Sequence, residues 1–448
     1  MIARRFETRL AAAAAMVMAA ASSVAAPAAA RAADSLSVRE CMARAREHAL
    51  QVQAAAEGLH ASRQDALAAR ANAHPELHLH SSAWLVPDGS YDPAATNEGQ
   101  FDLRLVSSMT LYDGGALGRE RARAGAAAHR AETDLAAARR EAAGRAAELA
   151  VGILQTTAGL RRRVASRNWT EGVVHSIEAS ARAGTRSPSD VARLRLDLQT
   201  LSVEIDDLDA GLERQGRELG AILVPDSIDY SFTDVRDSSW AEGPPEPADS
   251  AAVLRLFENS SEVTRATTEL ELARLDLASA RGQRASRLGA TLDAGLLGTD
   301  LTRAVPPDVP PVGAATFSDR LKRDLGASVT IDFLLPLLQP GVTATIGARE
   351  SAVRAAELRA NLAMNSSRRA ALDLLSRWRS AARRLALQRD AASMAELHAL
   401  RVQSLYLSGS GSLLDLIDAR KILDEDRDQL EAARGELLLT RLEGEIGS

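Results

Sequence analysis

Two stretches of this 448-residue chain, about 225 positions apart, carry the same pattern. Gly184-Thr185-Arg186-Ser187-Pro188-Ser189-Asp190 opens a helix-like run in which Val191, Leu198, Ile205 and Leu212 recur every seven residues. Gly409-Ser410-Gly411-Ser412-Leu413-Leu414-Asp415 opens a second, with Leu416, Leu423, Leu430 and Leu437 at the matching positions. Earlier in each half an alternating stretch ends in a Gly-containing turn, Leu111-Tyr112-Asp113-Gly114-Gly115 and then Leu337-Leu338-Gln339-Pro340-Gly341. The chain reads as two copies of one unit: strands, a long helix, a tight turn and a returning helix. A duplication of this kind dictates architecture before any chemistry is considered.

The expected helices are long. From about Gly115 to Arg182, and again from Val342 to Tyr406, no proline interrupts helical patterning. Each run would measure roughly 100 Å at 1.5 Å per residue. Ala371, Leu375, Trp378, Ala382 and Leu385 follow the 4-3-4-3 spacing of a coiled-coil seam. Returning helices are expected over about Ser189 to Leu223 and Ser412 to Gly447, with two further helices, about Leu36 to Ala73 and Ala248 to Ser286, leading into the strand pairs. Aromatic residues make up only 3% of the chain, which suits helices packed through Ala and Gly better than a thick aromatic core.

Residues 1–32 read as a signal peptide. Arg4, Arg5 and Arg9 precede a short apolar segment, Leu10 to Ala21, and Ala30-Arg31-Ala32 offers a small-residue cleavage site. A dozen apolar residues are too few to span a bilayer as a helix. The expected division is then a first repeat over 33–224, a connecting segment over 225–249, rich in Pro and Asp, and a second repeat over 250–448. With no further apolar run of helical membrane length, the exported chain would cross a membrane only with strands.

Four segments alternate in the way such strands require. Leu77, Leu79, Ser81, Ala83 and Leu85 alternate with Glu76, His78, His80, Ser82 and Trp84. Phe101, Leu103, Leu105, Ser107 and Met109 alternate with Asp102, Arg104, Val106, Ser108 and Thr110. In the second half Leu288 to Leu296 and Ser328 to Leu335 repeat this, and Arg104, Asp293 and Asp332 all fall on the polar phase. Each is near the ten residues of a tilted transmembrane strand. Four strands cannot enclose an aqueous lumen, and open strand edges are not tolerated in lipid. If these strands span a membrane, several chains must therefore share one barrel, with residues 87–99 and 299–324 as loops at its outer rim.

Other chemistry finds little support. The net charge of -6 argues against nucleic acid, and the single cysteine, Cys41, excludes an internal disulfide. His74, His78 and His80 lack a nearby fourth ligand, so no metal site is expected. The Ser-Gly run at the second turn has no following Lys and is no phosphate loop. No catalytic constellation emerges, and no cofactor is expected.

Tyr112-Asp113-Gly114-Gly115, Gly184-Thr185-Arg186-Ser187, Tyr406-x-x-Gly409 and Leu414-Asp415-Leu416-Ile417-Asp418-Ala419, set in this order of elements, resemble the TolC-type outer-membrane efflux factors. The resemblance covers essentially the whole mature chain. It implies a mainly α, mixed fold in which three protomers build a twelve-stranded transmembrane barrel, four strands each, continuous with an α-helical periplasmic barrel. It also implies an exit duct served by a periplasmic adaptor and an inner-membrane pump, with outer-membrane lipid around the strands. A polypeptide-exporting type I secretion duct and a soluble periplasmic coiled-coil scaffold are the alternatives.

Asp415 and Asp418 lie three apart on one helical face, where acids also suit a helix N-terminus. The resemblance places constricting acids at these positions, so that a trimer would ring its narrow end with carboxylates and favour cations. Tyr406 is a candidate for holding the tip shut, and Asp190, the repeat-related partner of Asp415, a candidate helix-N-terminal charge. Gly184, Thr185, Arg186, Ser187, Gly409 and Ser412 are the expected adaptor-contacting tips. The family commonly carries an Arg after the glycine of the second tip; here that tip reads Ser408-Gly409-Ser410-Gly411-Ser412 and the arginine, Arg186, lies in the first.

Overall fold

The computed structural model describes residues 35–85, 99–182, 187–225, 230–237, 240, 257, 260–300 and 316–446. The expected signal peptide over 1–32, residues 86–98 and 301–315, most of the expected connecting segment over 225–249, and Gly184, Thr185 and Arg186 lie outside them. Helix α1 (Val38–His48) begins at a capping box, in which Ser37 Oγ accepts the Glu40 N–H and the Glu40 carboxylate accepts the Ser37 N–H at 2.7 Å. The single helix expected over 36–73 is in fact two. Ala49 adopts extended ψ (133°) while only 4% exposed, and α2 (Leu50–Ala71) sets off after it. No Gly or Pro marks this break; the core holds it.

Strands β1 (Glu76–Leu85) and β2 (Gly99–Tyr112) follow, and the Asp113-Gly114-Gly115 turn leads into α3 (Ala116–Arg182), 67 residues long. The Asp113 carboxylate caps that helix, accepting the Gly115 N–H at 2.8 Å and the Leu117 N–H at 2.5 Å. Gly114 has φ +64°, and a Cβ there would stand 2.1 Å from the Cβ of Ala285, so both conformation and space demand glycine. Helix α4 (Pro188–Leu223) returns alongside α3.

The second half follows a related order. Helix α5 (Ser261–Gly282) precedes β3 (Arg287–Asp300), a short helix α6 (Phe317–Asp324), β4 (Leu325–Leu334), the 68-residue α7 (Pro340–Leu407) and the returning α8 (Leu413–Ile446). Helix α6 corrects the loop expected over 299–324. Thr316 caps it by accepting the Asp319 N–H, and a stretch as charged as Asp319-Arg320-Leu321-Lys322-Arg323-Asp324 conceals it.

The sheet is antiparallel in the order β1-β2-β3-β4. Its register keeps the two alternating phases apart. Leu79 faces Leu105 and Leu105 faces Ala294, while His80 faces Arg104 and Val106 faces Asp293. Leu77, Leu79, Val329, Ile331 and Phe333 form an exposed apolar face. Among the described residues the outer edges of β1 and β4 are unpaired. Gly295 sits at φ +152° inside β3, where a Cβ would meet the Leu103 carbonyl oxygen at 2.2 Å.

The main core lies midway along α3, not at the sheet. Ala142, Ala143, Ala146, Ala147 and Ala150 are small enough to let α1, the end of α4 and α8 close around Ile153, Leu219 and Leu442. The segment after α4 covers this region: Phe232 N–H donates to Gly216, Arg236 N–H to Leu36, and the Trp240 indole to Glu431 at 2.7 Å. Cys41 is fully buried here, and burial pushes its thiol up to about 11, so it packs as a small apolar group. A second core follows the expected seam on α7: Ala381 and Leu385, with Trp378 and Ala382, pack on Ala433 and Leu437 of α8.

Candidate functional site

At the free end of the helices lie the second tip and, of the first, the residues from Ser187 onward. At the second, Gly409 takes φ +79°, and the Ser410 and Gly411 N–H groups both donate to the Leu405 carbonyl, at 3.0 and 2.9 Å. Ser412 Oγ then accepts the Asp415 N–H at 3.1 Å and starts α8. At the first, Ser187 Oγ accepts the Ser189 N–H at 3.2 Å, and Asp190 stands in the first turn of α4. These caps use the Ser187 and Ser412 hydroxyls to satisfy backbone donors.

Just inside the turns, a small apolar cluster joins the α3/α4 hairpin to the α7/α8 hairpin. Val174 and Ile177 of α3, Leu194 of α4 and Leu413 and Leu416 of α8 are buried together, with Tyr406, Trp169 and Ile417 packed around them. Tyr406 thus packs against the cluster that the two hairpins share. Asp415 and Asp418 do not join the cluster: both are exposed, on the face of α8 turned away from Leu416. The structure therefore gathers Tyr406 with the hairpin junction, and leaves the two acids displayed at its rim.

Beyond the cluster comes a charged seam between α3 and α8, where mixed charges alone suggest only solvated helix surface. The Ser166 hydroxyl donates to Asp424 Oδ2, and Arg420 donates to Ser166 Oγ at 3.2 Å while its guanidinium carbon lies 5.5 Å from the Trp169 ring centroid. Four residues further along, Asp428 accepts from Arg162 Nε at 2.9 Å and from Arg163 Nη2 at 2.8 Å, and Arg163 also pairs with Glu204 of α4 at 2.7 Å. Glu431 receives Arg434 at 2.7 Å as well as the Trp240 indole. Only one sequence signal points here: Arg420, Asp424 and Asp428 recur every four residues along one stripe of a helix whose neighbouring stripe is the Leu heptad.

At the sheet, the polar phase is itself linked. Arg104 Nη1 donates to Asp293 Oδ2 at 3.2 Å, and Asp102 accepts from Gly298 N–H at 2.6 Å and Ser82 Oγ at 3.1 Å. His78 Nε2 lies 3.2 Å from Glu76. Among the described residues no group of three or more His, Cys, Asp or Glu is placed to hold a metal ion, and no helix is long and apolar enough to cross a membrane.

No family model matches the sequence, and no curated protein does. Solved structures do match. The outer membrane protein VceC of Vibrio cholerae superposes with a TM-score of 0.72 at 16% identity, over 91% of this chain and 94% of that one. CusC, described through its folding and transmembrane channel formation, gives 0.75 at 14% identity over 95% of each chain. The CmeC outer membrane channel of Campylobacter jejuni gives 0.70 at 12% identity, over 92% of this chain and 85% of that one. The fold is thus that of the TolC-type outer-membrane channels, along almost the full length of both partners.

Proposed function

We propose that the chain is the outer-membrane exit duct of a tripartite efflux or secretion system. The observation that carries this reading is the sheet. It presents four strands with one exposed apolar face, one charged face and both outer edges unpaired among the described residues, and it stands at the end of helices about 100 Å long. In lipid each unpaired backbone group would cost several kcal/mol. Three copies joining β1 to a neighbour's β4 remove those edges and give a twelve-stranded barrel with its charged face on the lumen. The fold shared with outer-membrane channels supports the same assembly.

In this reading the duct is passive and not an enzyme. The internal two-fold repeat over 33–224 and 250–448 lets three chains supply twelve helices to one periplasmic wall. Asp415 and Asp418 of the three copies ring the narrow end and select for cations, Tyr406 and Asp190 lie at that constriction, and the turns at Gly184–Ser187 and Gly409–Ser412 receive a periplasmic adaptor. Energy comes from an inner-membrane pump.

Single-channel recording in planar bilayers tests this. Wild type should carry a small cation-selective current, and Asp415→Ala/Asp418→Ala should lose the selectivity. A current indifferent to the double substitution would return both aspartates to helix capping. Protein that is soluble without detergent and carries no current would overturn the duct.

A further inference from the structure

We infer that His78 and His80 of one copy and Asp332 of a second copy together form a binding site for a divalent transition-metal ion, one at each seam of the proposed barrel. The site rests on the duct reading, since a single chain leaves it incomplete. Alternation along β1 puts Glu76, His78 and His80 on the charged face of an exposed edge strand. Residues two apart on one face of a strand are separated by roughly 7 Å along the backbone, close enough for both imidazoles to reach one ion. His78 Nε2 lies 3.2 Å from Glu76 Oε2, both side chains being exposed. A carboxylate on one ring nitrogen orients the ring and leaves Nδ1 for a metal, the usual arrangement behind a ligating histidine. Arg104 stands opposite His80 but turns to Asp293 of β3 at 3.2 Å, which matches its charge away from this edge. One chain lacks a third ligand: among the described residues no group of three or more His, Cys, Asp or Glu is placed to hold an ion.

The other edge of the sheet carries that ligand. Strand β4 runs antiparallel to β1, and both are ten residues long. When β1 of one copy meets β4 of the next, the charged faces must coincide, which allows only registers two residues apart. Asp332 belongs to the charged face, because it stands opposite Gly289 in the phase that sets Ser328 opposite Asp293. Pairing both strands along their full length sets His78 against Asp332 and Trp84 against Gly326. It also joins Leu77 to Phe333 and Leu79 to Ile331 on the apolar face, and puts the bulky indole over the residue with no side chain. A slip of two residues one way opposes Glu76 to Asp332, and like charges directly opposite destabilise a strand pair. A slip the other way still brings Asp332 to a histidine, His80. Asp332 is exposed and makes no hydrogen bond or ion pair among the described residues. Directly opposed side chains stand about 5 Å apart at Cβ, so this carboxylate reaches the ion across the seam. Two imidazoles and a carboxylate, with Glu76 behind them, suit Zn2+, Ni2+ or Cu2+ far better than Mg2+ or Ca2+. Bound only where two copies meet, the ion stabilises the assembled ring over separate chains.

The test uses the full chain purified in detergent, stripped with a chelator and then given Zn2+ or Mg2+. Zn2+ should bind at one ion per seam in equilibrium dialysis and raise the temperature at which the trimer dissociates on gels; Mg2+ should do neither. Asp332→Asn should lose the Zn2+ response, as should His78→Gln/His80→Gln, with the metal-free trimer of each variant still present on gels. Glu76→Gln should weaken Zn2+ binding about ten-fold or more. Co-assembly of Asp332→Asn chains with His78→Gln/His80→Gln chains decides whether the ligands come from two copies. A mixed trimer sets intact histidines beside an intact aspartate at one seam, so it should regain one Zn2+ and the heat shift although neither parent binds. Trimers that ignore Zn2+, a Zn2+ response indifferent to Asp332→Asn, or mixed trimers that bind none would each overturn the site and leave the duct reading standing. A chain that stays monomeric in detergent overturns the duct reading and the site together.

Discussion

Arg104 of β2 and Asp293 of β3 meet at 3.2 Å on the charged face of the sheet, 189 positions apart in the chain. Their side chains are only 28% and 18% exposed, so each screens the other from a half-dry environment. Arg104→Leu leaves Asp293 without that partner and should cost about 2 kcal/mol, close to the usual penalty for orphaning a partly buried charge. Arg104→Leu/Asp293→Leu should recover most of the loss, and a double-mutant cycle from thermal unfolding in detergent would measure the coupling.

The two faces of the sheet should respond oppositely to the same new charge. Leu79 lies on the apolar face and His80 on the charged one, one residue along β1. If the proposed barrel forms, Leu79→Lys should destabilise it in the membrane by about 2–4 kcal/mol, and His80→Lys by far less. Heat-modifiable mobility of the outer-membrane fraction on gels reads the difference. Equal loss from both would reject the assignment of faces.

Two glycines with positive φ should not be equally sensitive. Gly114→Ala meets both a strained conformation at φ +64° and the Ala285 side chain, and should cost about 3 kcal/mol. Gly409 has φ +79° with open space around it, so Gly409→Ala should cost about 1 kcal/mol, from conformation alone. Circular-dichroism melting of the two variants checks the ranking.

Asp113 should make the start of α3 acid-sensitive. Burial by itself would raise its pKa, but the N–H groups of Leu117, Gly115 and Ala116, with Arg119 nearby, hold it below the ordinary value of 3.8. A depressed pKa in the folded state contributes stability above the unfolded value and loses it as pH falls through the folded one. Asp113→Ala should therefore lower stability by about 1 kcal/mol at pH 7. The gap to wild type should close as pH drops below 3.8, as melting curves at pH 7 and pH 3 would show.

Much of the secondary structure was legible along the chain because its signals are local. Period-two alternation placed β1 at Glu76–Leu85, and the absence of proline between glycine turns placed α3 and α7 to within two residues at each end. The short α6 escaped because its eight residues, Phe317–Asp324, complete barely two turns and carry no repeat to detect. The break at Ala49 escaped for a different reason. Alanine favours helix, and only the packing of Ala45, Ala49 and Val52 into the core turns the chain there.

At the tip, sequence placed Tyr406, Asp415 and Asp418 near one another, since all lie within thirteen residues around one turn. It could not show that Tyr406 packs on the cluster that Val174, Ile177, Leu194, Leu413 and Leu416 share, or that Ser166, Trp169, Arg162 and Arg163 select their partners from α8. Sequence by itself determined most of the elements, the alternation of faces and the turns at Gly114 and Gly409, because helix period, strand period and glycine conformations act over a few residues. Tertiary structure alone decided which charges on α3 and α8 are paired and which are left to solvent. Those pairs join residues more than 250 positions apart, and a charged stripe on a helix reads the same until another helix covers it.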